Sequence, residues 1–348
     1  QTAKLMLNQK KYTFSIILLF LAVIVMALFN ISLGSVNIPT KDVIAALFGL
    51  EIDKETWRYI ILNYRLPKAI TAIITGSGLA VSGLLMQTLF RNPLAGPYVL
   101  GLSSGASLGV ALVFMGASVF GASFASILLS EWSLVIASSL GSLLVLFAVI
   151  LASIRLRDTM AILIIGLMFA SLTAAIVSVL AYFSPASQLQ QYVFWSYGSL
   201  GDLSWNEVSI LGLFWIVGIL ISIGSIKNLN SLLLGEQYAR SLGTNIKKNR
   251  LMIIIATSLL AGSITAFAGP IAFVGLAVPH LIRQIIPSAN HISLVPAVIF
   301  GGAILMLICD IIAQLPGSEF SLPINAITSL IGAPVVIWLL VRKRKFNF

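Results

Sequence analysis

The side chains that could perform chemistry are few in this chain. His280 and His291 are the only two histidines, and Cys309 is the only cysteine. Two histidines without nearby carboxylates or thiols make a poor metal site, because a protein-bound metal needs three or four such ligands. A single cysteine cannot form a disulfide framework within one chain. The sequence therefore predicts no metal ligand and no catalytic residue.

Asp310 is the one acidic residue that falls inside an apolar stretch. An intramembrane carboxylate is by default a candidate for ion or proton coupling. The apolar stretches contain no clear basic partner for it, and one isolated carboxylate is thin support for a proton relay. A hydrogen-bonded structural role is the favoured interpretation, and proton coupling stays open.

Nucleotide binding by this chain is not predicted. The sequence contains no G-x-x-x-x-G-K-[ST] segment, the loop that cradles phosphates in many nucleotide-binding proteins. Any use of ATP would therefore require a second polypeptide.

Long apolar segments dominate the rest of the chain. Hydrophobic residues make up 59% of the 348 residues and charged residues 9%, with a mean hydropathy of +1.04. A helix of about 20 apolar residues crosses the hydrocarbon core of a bilayer. The pattern predicts an all-α, polytopic membrane protein that forms a single transmembrane domain over 1–348. The first segment is interpreted as a retained helix and not as a signal peptide. The ten predicted helices cover about 14–33, 66–88, 98–118, 132–154, 160–182, 208–226, 251–267, 272–285, 294–314 and 324–341.

The distribution of basic residues predicts the orientation. With ten spans, sixteen of the 21 Lys and Arg residues fall on one side, including the cluster at 342–345. An excess of Lys and Arg marks the cytoplasmic side of a membrane protein. Both termini and the connection at about 230–250 are therefore predicted to be cytoplasmic. The net charge of +10 reports this orientation and does not indicate a nucleic-acid partner.

The cytoplasmic connection contains the segment SLLLGEQYARSLG. Ser231 is predicted to cap a helix, and Glu236 lies four residues before Arg240, which places opposite charges on one helical face. Gly235 and Gly243 divide the segment into short pieces. Two short amphipathic helices would offer a surface to a partner protein, but a solvated connector fits the residues equally well.

Two features of the remaining sequence concern the backbone. RNPLAGP, from Arg91 to Pro97, is predicted to be a rigid turn after the second helix, because its two prolines cannot continue a helix. Gly101, Gly105 and Gly109 recur every four residues, and small faces let membrane helices approach closely. Helix packing is the favoured role of these glycines.

Five segments together resemble one known family. RLPKAITAIITGSGLAVSGLLMQTLFRNPLAGPYVLGLSSGASLG, YFSPASQLQQYVFWSYGSL, LLLGEQYARSLG, GPIAFVGLAVPHLIR and IGAPVVIWLL follow in the order found in FecCD-type permease subunits. These are vitamin B12 permease-like subunits of bacterial ATP-binding cassette (ABC) importers for iron–siderophore complexes, haem or cobalamin. The resemblance extends from about Arg65 to Leu340. It implies a homodimeric inner-membrane bundle with two cytoplasmic ATPase subunits and an extracytoplasmic substrate-binding protein.

The resemblance also implies roles for individual residues. ATPase coupling falls on Leu234, Gly235, Glu236, Ala239, Arg240, Leu242 and Gly243. A cytoplasmic gate falls on Asn92, Pro93, Leu94, Thr159 and Met160, and binding-protein docking falls on Arg65 and Lys68. The family's third basic docking position is Gln314 here, and Ser321 and Asn325 replace its usual Glu and Gly. The docking surface is therefore expected to be altered.

The resulting expectation is a permease subunit that moves a bulky metal chelate by alternating access and is not itself an enzyme. No cofactor is expected on this chain, and ATP and Mg²⁺ are expected on the partner ATPase. An iron complex, either iron–siderophore or haem, is the favoured cargo. Cobalamin is the alternative cargo, and a proton-coupled secondary transporter that uses Asp310 is the alternative mechanism. A structural or receptor protein without transport is a third interpretation.

Overall fold

The computed structural model describes residues 2–116, 131–155, 159–201, 203–318 and 320–341. These residues form α-helices joined by short turns, and no β-strand occurs among them. The basic cluster at 342–345 lies outside the described residues. The helices are α1 (Thr2–Ser32), α2 (Thr40–Leu47), α3 (Glu55–Ile60), α4 (Leu66–Leu89), α5 (Leu102–Met115), α6 (Glu131–Arg155), α7 (Thr159–Phe183), α8 (Ala186–Ser196), α9 (Trp205–Gly224), α10 (Ile226–Leu233), α11 (Glu236–Ser241), α12 (Ile246–Thr257), α13 (Ser263–Ala268), α14 (Val274–Ile285), α15 (His291–Ala313) and α16 (Ile324–Val341).

The described residues contain a helix at each of the ten predicted positions, and the all-α membrane fold is confirmed. The eighth, α14, is not among the apolar segments below, and the predicted end of the third, 117–118, lies outside the described residues. Within the described part of the chain, seven helical segments are long and apolar enough to cross a membrane: 11–32, 55–89, 132–152, 160–183, 205–224, 246–268 and 291–313. Two shorter apolar helices cover 102–115 and 324–338. The third predicted helix begins later than expected, because a 3₁₀ turn, Pro97–Leu100, precedes α5.

Two spans contain a wider π-helical turn that the sequence pattern did not predict. One covers Ile61–Arg65 and joins α3 to α4, and the other covers Ser258–Gly262 and joins α12 to α13. A π-turn inserts one extra residue and is frequent near functional positions. The first of them ends at Arg65, a residue predicted to take part in docking.

One compact unit consists of the described residues within 1–84, 199–213 and 272–348. In it α1 packs along α15, and α14 packs against α15 and α16. Gly76 and Gly83 bring α4 against backbone, since an added Cβ would overlap the Gly302 and Gly275 carbonyls respectively. A bulkier side chain at either position would push the helices apart.

The second compact unit consists of the described residues within 85–198 and 214–271. Its centre is α5, which packs against α6 and α7. An added Cβ on Gly105 would collide with the Gly141 carbonyl, and one on Gly109 would overlap the Ala137 carbonyl. The predicted packing role of these α5 glycines is confirmed. The assignment of 1–348 to a single domain stays a prediction.

Candidate functional site

The loop predicted to couple to a partner has two short helices, as the sequence indicated. α10 ends at Leu233 and α11 begins at Glu236, and Gly235 lies between them with φ +102° and ψ 153°. An L-residue with a side chain rarely adopts this backbone conformation, so the turn requires glycine. The sequence-based prediction for Ser231 was wrong. Ser231 lies inside α10 and its hydroxyl donates to the Asn228 carbonyl, so it does not cap the helix.

The loop exposes a row of large apolar side chains. Leu234 is 61% exposed, Tyr238 54% and Leu242 59%. Tyr238 in α11 and Leu242 at its end are one helical turn apart, and Leu234 lies just before the Gly235 turn. Ala239, by contrast, is fully buried, so it supports the loop from within and offers no surface to a partner. Arg240 and Gly243 are exposed.

Glu236 forms an ion pair that the sequence did not reveal. Its Oε1 atom lies 3.4 Å from Nη2 of Arg250 in α12, whereas the sequence spacing had suggested a common face with Arg240. The Arg250 side chain is 4% exposed and that of Glu236 is 34% exposed. A nearly buried arginine therefore joins the loop to the start of the 246–268 span. Neighbouring Asn249 is also buried, and its side-chain amide has no hydrogen-bond partner among the described residues.

The predicted gate turn is closed by its asparagine. Oδ1 of Asn92 accepts a hydrogen bond from the Leu94 backbone N–H at 2.9 Å, and the Asn92 carbonyl accepts one from Ala95 at 3.1 Å. Leu94 is 45% exposed. Arg91, which begins the turn, has φ +47°, a left-handed conformation that is uncommon for residues other than glycine.

The gate turn and the loop meet at one place. A Cβ on Gly235 would lie 3.7 Å from Nη1 of Arg91, so this guanidinium lies near the Gly235 backbone. The structure therefore brings together two sequence-predicted groups that are far apart along the chain. Thr159 and Met160, the second predicted gate, form the start of α7, and Met160 is 49% exposed.

Tyr98 lies just beyond the gate turn, and sequence reasoning did not single it out. Its hydroxyl is 3.4 Å from the Thr265 hydroxyl and accepts a 3.4 Å hydrogen bond from the Ile271 backbone N–H. Burial raises the pKa of Tyr98, since the charged phenolate would lose its water. The neutral phenol therefore stays available as a link between the 3₁₀ turn and the end of α13.

Arg65, predicted to dock a binding protein, bonds within its own unit. Its Nη1 atom donates to the carbonyls of Ile31 at 2.7 Å and Ser32 at 2.9 Å, and its Nη2 atom donates to the Val36 carbonyl. These three carbonyls lie at and just beyond the end of α1. Arg65 therefore holds the C-terminal end of α1 through charge-assisted hydrogen bonds.

Lys68, the second predicted docking residue, supplies the basic partner that Asp310 lacked in the sequence analysis. Its Nζ atom lies 3.1 Å from Oδ1 of Asp310. The other carboxylate oxygen accepts hydrogen bonds from Asn30 at 2.8 Å and Gln314 at 2.7 Å. The expectation that Asp310 has no basic partner was wrong. We call these four residues the Asp310 cluster, and they join α1, α4 and the end of α15.

The chain matches one known protein family along most of its length. The model described as the FecCD transport family matches residues 20–342. The chain belongs to the FecCD transport family. Among its FecCD relatives, the hemin transport system permease protein HmuU of Yersinia pestis is 35% identical over 328 residues, covering 94% of this chain and 95% of the relative. The vitamin B12 import system permease protein BtuC of Klebsiella pneumoniae is 34% identical over 338 residues, covering 97% of this chain and 95% of the relative.

A solved structure shares the FecCD fold seen here. It is described as an inward-facing metal-chelate type ABC transporter and superposes with a TM-score of 0.81 at 29% identity, covering 94% of this chain and 98% of that one. The sequence-based prediction of a FecCD-type, vitamin B12 permease-like protein is confirmed. The chain is a multi-pass membrane permease.

The departures from the FecCD docking pattern have structural partners in this chain. Gln314 donates to Asp310, and Oδ1 of Asn325 accepts a 3.0 Å hydrogen bond from the Ala272 backbone N–H. Both residues therefore form bonds inside the first unit. Whether Arg65, Lys68 or Ser321 contacts a binding protein stays a prediction, as do the roles predicted for the coupling and gate residues.

Proposed function

We propose that this FecCD permease is the membrane subunit of an ABC importer that moves a bulky metal chelate inward by alternating access. Two copies would enclose the pathway, with two ATPase subunits on the cytoplasmic side and a substrate-binding protein on the outer side. The chain itself breaks no bond in the cargo. ATP and Mg²⁺ would bind to the ATPase subunits, and both termini of the permease would lie in the cytoplasm of a bacterial cell, with the permease in its inner membrane.

The observation that carries this proposal is the apolar row on the loop, formed by Leu234, Tyr238 and Leu242. All three side chains are more than half exposed, although the loop lies between two membrane spans and outside both. Large exposed apolar groups close together in one loop are typical of a docking surface for another protein. A solvated connector would carry polar residues at these positions.

The partner for this row is proposed to be the ATPase subunit. The loop also exposes Arg240, so an apolar centre with a charged rim would meet the partner. In such an interface the apolar anchors supply most of the binding affinity, and the charged groups set the orientation of the two proteins. Closing of the ATPase subunits around ATP would then move the loop and the helices attached to it.

The proposed cargo is a metal held inside an organic ligand, and an iron complex is favoured. The named relatives support this class, since one is called a hemin permease and the other a vitamin B12 permease. Their identities to this chain, 35% and 34%, do not separate the two cargoes. Haem and ferric siderophores are the iron complexes to test, and cobalamin is the alternative.

The proton-coupled alternative has less support from the geometry of Asp310. Both of its carboxylate oxygens accept from donors, and one of these donors is the Lys68 ammonium. A carboxylate that exchanges protons during transport needs access to water, but the Asp310 side chain is 3% exposed. The cluster fits a structural ion pair better than a proton relay.

Uptake by proteoliposomes tests the proposal. The permease is reconstituted with its ATPase and its binding protein, and haem, a ferric siderophore and cobalamin are offered in parallel, with and without ATP at the ATPase. We expect accumulation of one compound only when ATP is hydrolysed. A Leu234→Ser, Tyr238→Ser, Leu242→Ser variant should lose ATPase binding and uptake together, because it removes the apolar row.

The matched control is Lys247→Ser, Lys248→Ser. These two exposed basic residues lie at the start of α12, in the same connection but outside the apolar row. This control should retain ATPase binding. Uptake that ignores ATP and follows an imposed proton gradient would overturn the proposal in favour of secondary transport. Normal ATPase binding by the triple serine variant would show that the apolar row is not the docking surface.

A further inference from the structure

The Gly235–Glu236 turn is held from two sides by arginines that belong to different parts of the second unit. Arg250, at the start of the 246–268 span, pairs with the Glu236 carboxylate at 3.4 Å. Arg91, two residues after the end of α4, has its guanidinium near Gly235, 3.7 Å from where a Cβ would lie. We propose that these two arginines transmit movement of the loop, Arg250 to the 246–268 span and Arg91 to the Asn92–Leu94 turn. This inference rests on the proposed function.

The burial of Arg250 supports its part. The side chain is 4% exposed, so the contact with the Glu236 carboxylate helps to compensate for burying the charge. Separating a buried cation from its counter-ion leaves a desolvated charge, which is strongly unfavourable. Movement of the loop away from the start of α12 would therefore be opposed unless α12 moved with it.

The position of Arg91 supports the second connection. Helix α10 ends beside Gly235, and the carbonyl groups at a helix C-terminus carry partial negative charge that attracts a cation. The backbone of Arg91 continues directly into Asn92, whose side chain closes the gate turn on Leu94. Displacement of Gly235 would therefore shift the guanidinium of Arg91, the residue immediately before the gate turn.

The two arginines make the turn a branch point. A single displacement of the loop would reach both the long span that ends at Ala268 and the turn that exposes Leu94. Coupling between sites requires an element whose position both sites affect, and the Gly235–Glu236 turn is such an element. Arg91 and Arg250 are positioning residues in this scheme, because neither needs to touch the cargo or the nucleotide.

The test measures how many cargo molecules enter for each ATP hydrolysed by the reconstituted complex. The variants are Glu236→Gln, Arg250→Met and the double substitution, with Arg91→Ala and Arg91→Lys as a second series. We expect Glu236→Gln and Arg250→Met each to lower this ratio about tenfold, a common size of coupling between sites. The double variant should lose no more than either single variant, since both remove the same contact.

Arg91→Ala should lower the ratio similarly, whereas Arg91→Lys should keep most of it, because a cation remains beside the α10 terminus. Lys227→Ala is the matched control, since Lys227 is an exposed cation on α10. It should leave the ratio unchanged. Gel filtration of each complex checks that assembly is retained.

Two outcomes would overturn the inference while leaving the proposed function intact. Additive losses for Glu236→Gln and Arg250→Met would mean that Glu236 acts on the ATPase and not on Arg250. Parallel losses of ATP hydrolysis and uptake in every variant would mean that the arginines only stabilise the fold. Failure of the proposed function looks different, because the unmodified complex would then show no ATP-dependent uptake at all.

Discussion

Substituting Lys68 with Met removes the only cation seen on Asp310 among the described residues and leaves a carboxylate that is 3% exposed. Removing one partner of a buried ion pair costs about 3–5 kcal/mol, because the remaining charge is desolvated and unpaired. We expect the lower end, about 3 kcal/mol, because Lys68 is 24% exposed and two amide donors remain on Asp310.

Substituting the other partner of the ion pair, Asp310, should cost less stability. In Asp310→Asn the side-chain oxygen can still accept from Asn30 and Gln314, and Lys68 can turn its ammonium toward solvent. The loss is then that of a single interaction, about 1 kcal/mol. The double variant, with Lys68→Met and Asp310→Asn, should be more stable than Lys68→Met alone, because it no longer buries an unpaired charge.

The assay is thermal unfolding of the purified permease in detergent micelles, followed by near-ultraviolet circular dichroism. Lys68→Met should lower the unfolding midpoint by about 4 °C and Asp310→Asn by about 1 °C. Lys41→Met is the matched control, since Lys41 pairs with Asp53 at 3.3 Å but the two side chains are 71% and 60% exposed. An exposed pair contributes about 0–1 kcal/mol.

Two results would refute this reasoning. If Asp310→Asn were as damaging as Lys68→Met, the asymmetry argued from burial would be wrong. If the double variant were less stable than Lys68→Met, the cluster would not act as an ion pair. The same proteins also test the transport mechanism. Asp310→Asn should retain ATP-driven uptake, and its loss at normal ATP hydrolysis would favour proton coupling.

Three further predictions follow from the helix contacts and the turns. Gly83→Ala should lower the unfolding midpoint strongly, because its Cβ would overlap the Gly275 carbonyl, whereas Gly224→Ala meets nothing within 4 Å and should be harmless in the same assay. Asn92→Ala removes the acceptor for the Leu94 amide, at a cost of about 1 kcal/mol, so hydrogen exchange at that amide should rise about fivefold; an unchanged rate would mean that Asn92 does not close the turn. Gly235→Ala should strain the loop by about 1–3 kcal/mol and weaken ATPase binding, and undiminished binding would contradict the need for glycine there.

The sequence predicted the membrane helices well because their signal is local. Each span is a continuous apolar run, and the loop after α9 is marked by its own glycines and charges. The ion pairs were missed for the opposite reason. The hydrogen-bond partners of Asp310 show the same limit. Asn30 is 280 positions away from it, and no pattern along one chain reports that such residues meet in space. Local spacing placed Glu236 and Arg240 on one face of α11, and it could not reveal that folding brings Arg250 beside the Glu236 carboxylate.

The π-turns were also beyond prediction from the pattern. Ser258–Gly262 has the composition of an ordinary membrane helix. The extra residue in this π-turn therefore depends on packing against other helices, which the pattern does not report. The docking pattern shows a similar limit. Gln314 and Asn325 were interpreted as changes to an outer surface, but the structure shows them bonded within the first unit.

The apolar row on the loop has a consequence for the life of the protein in the cell. A copy of the permease made without its partner leaves Leu234, Tyr238 and Leu242 in water. Such a surface invites self-association and recognition by proteases that remove unassembled subunits. The amount of permease that survives would therefore follow the supply of its partner. Balanced synthesis of the subunits would then be enforced by degradation of the excess copy.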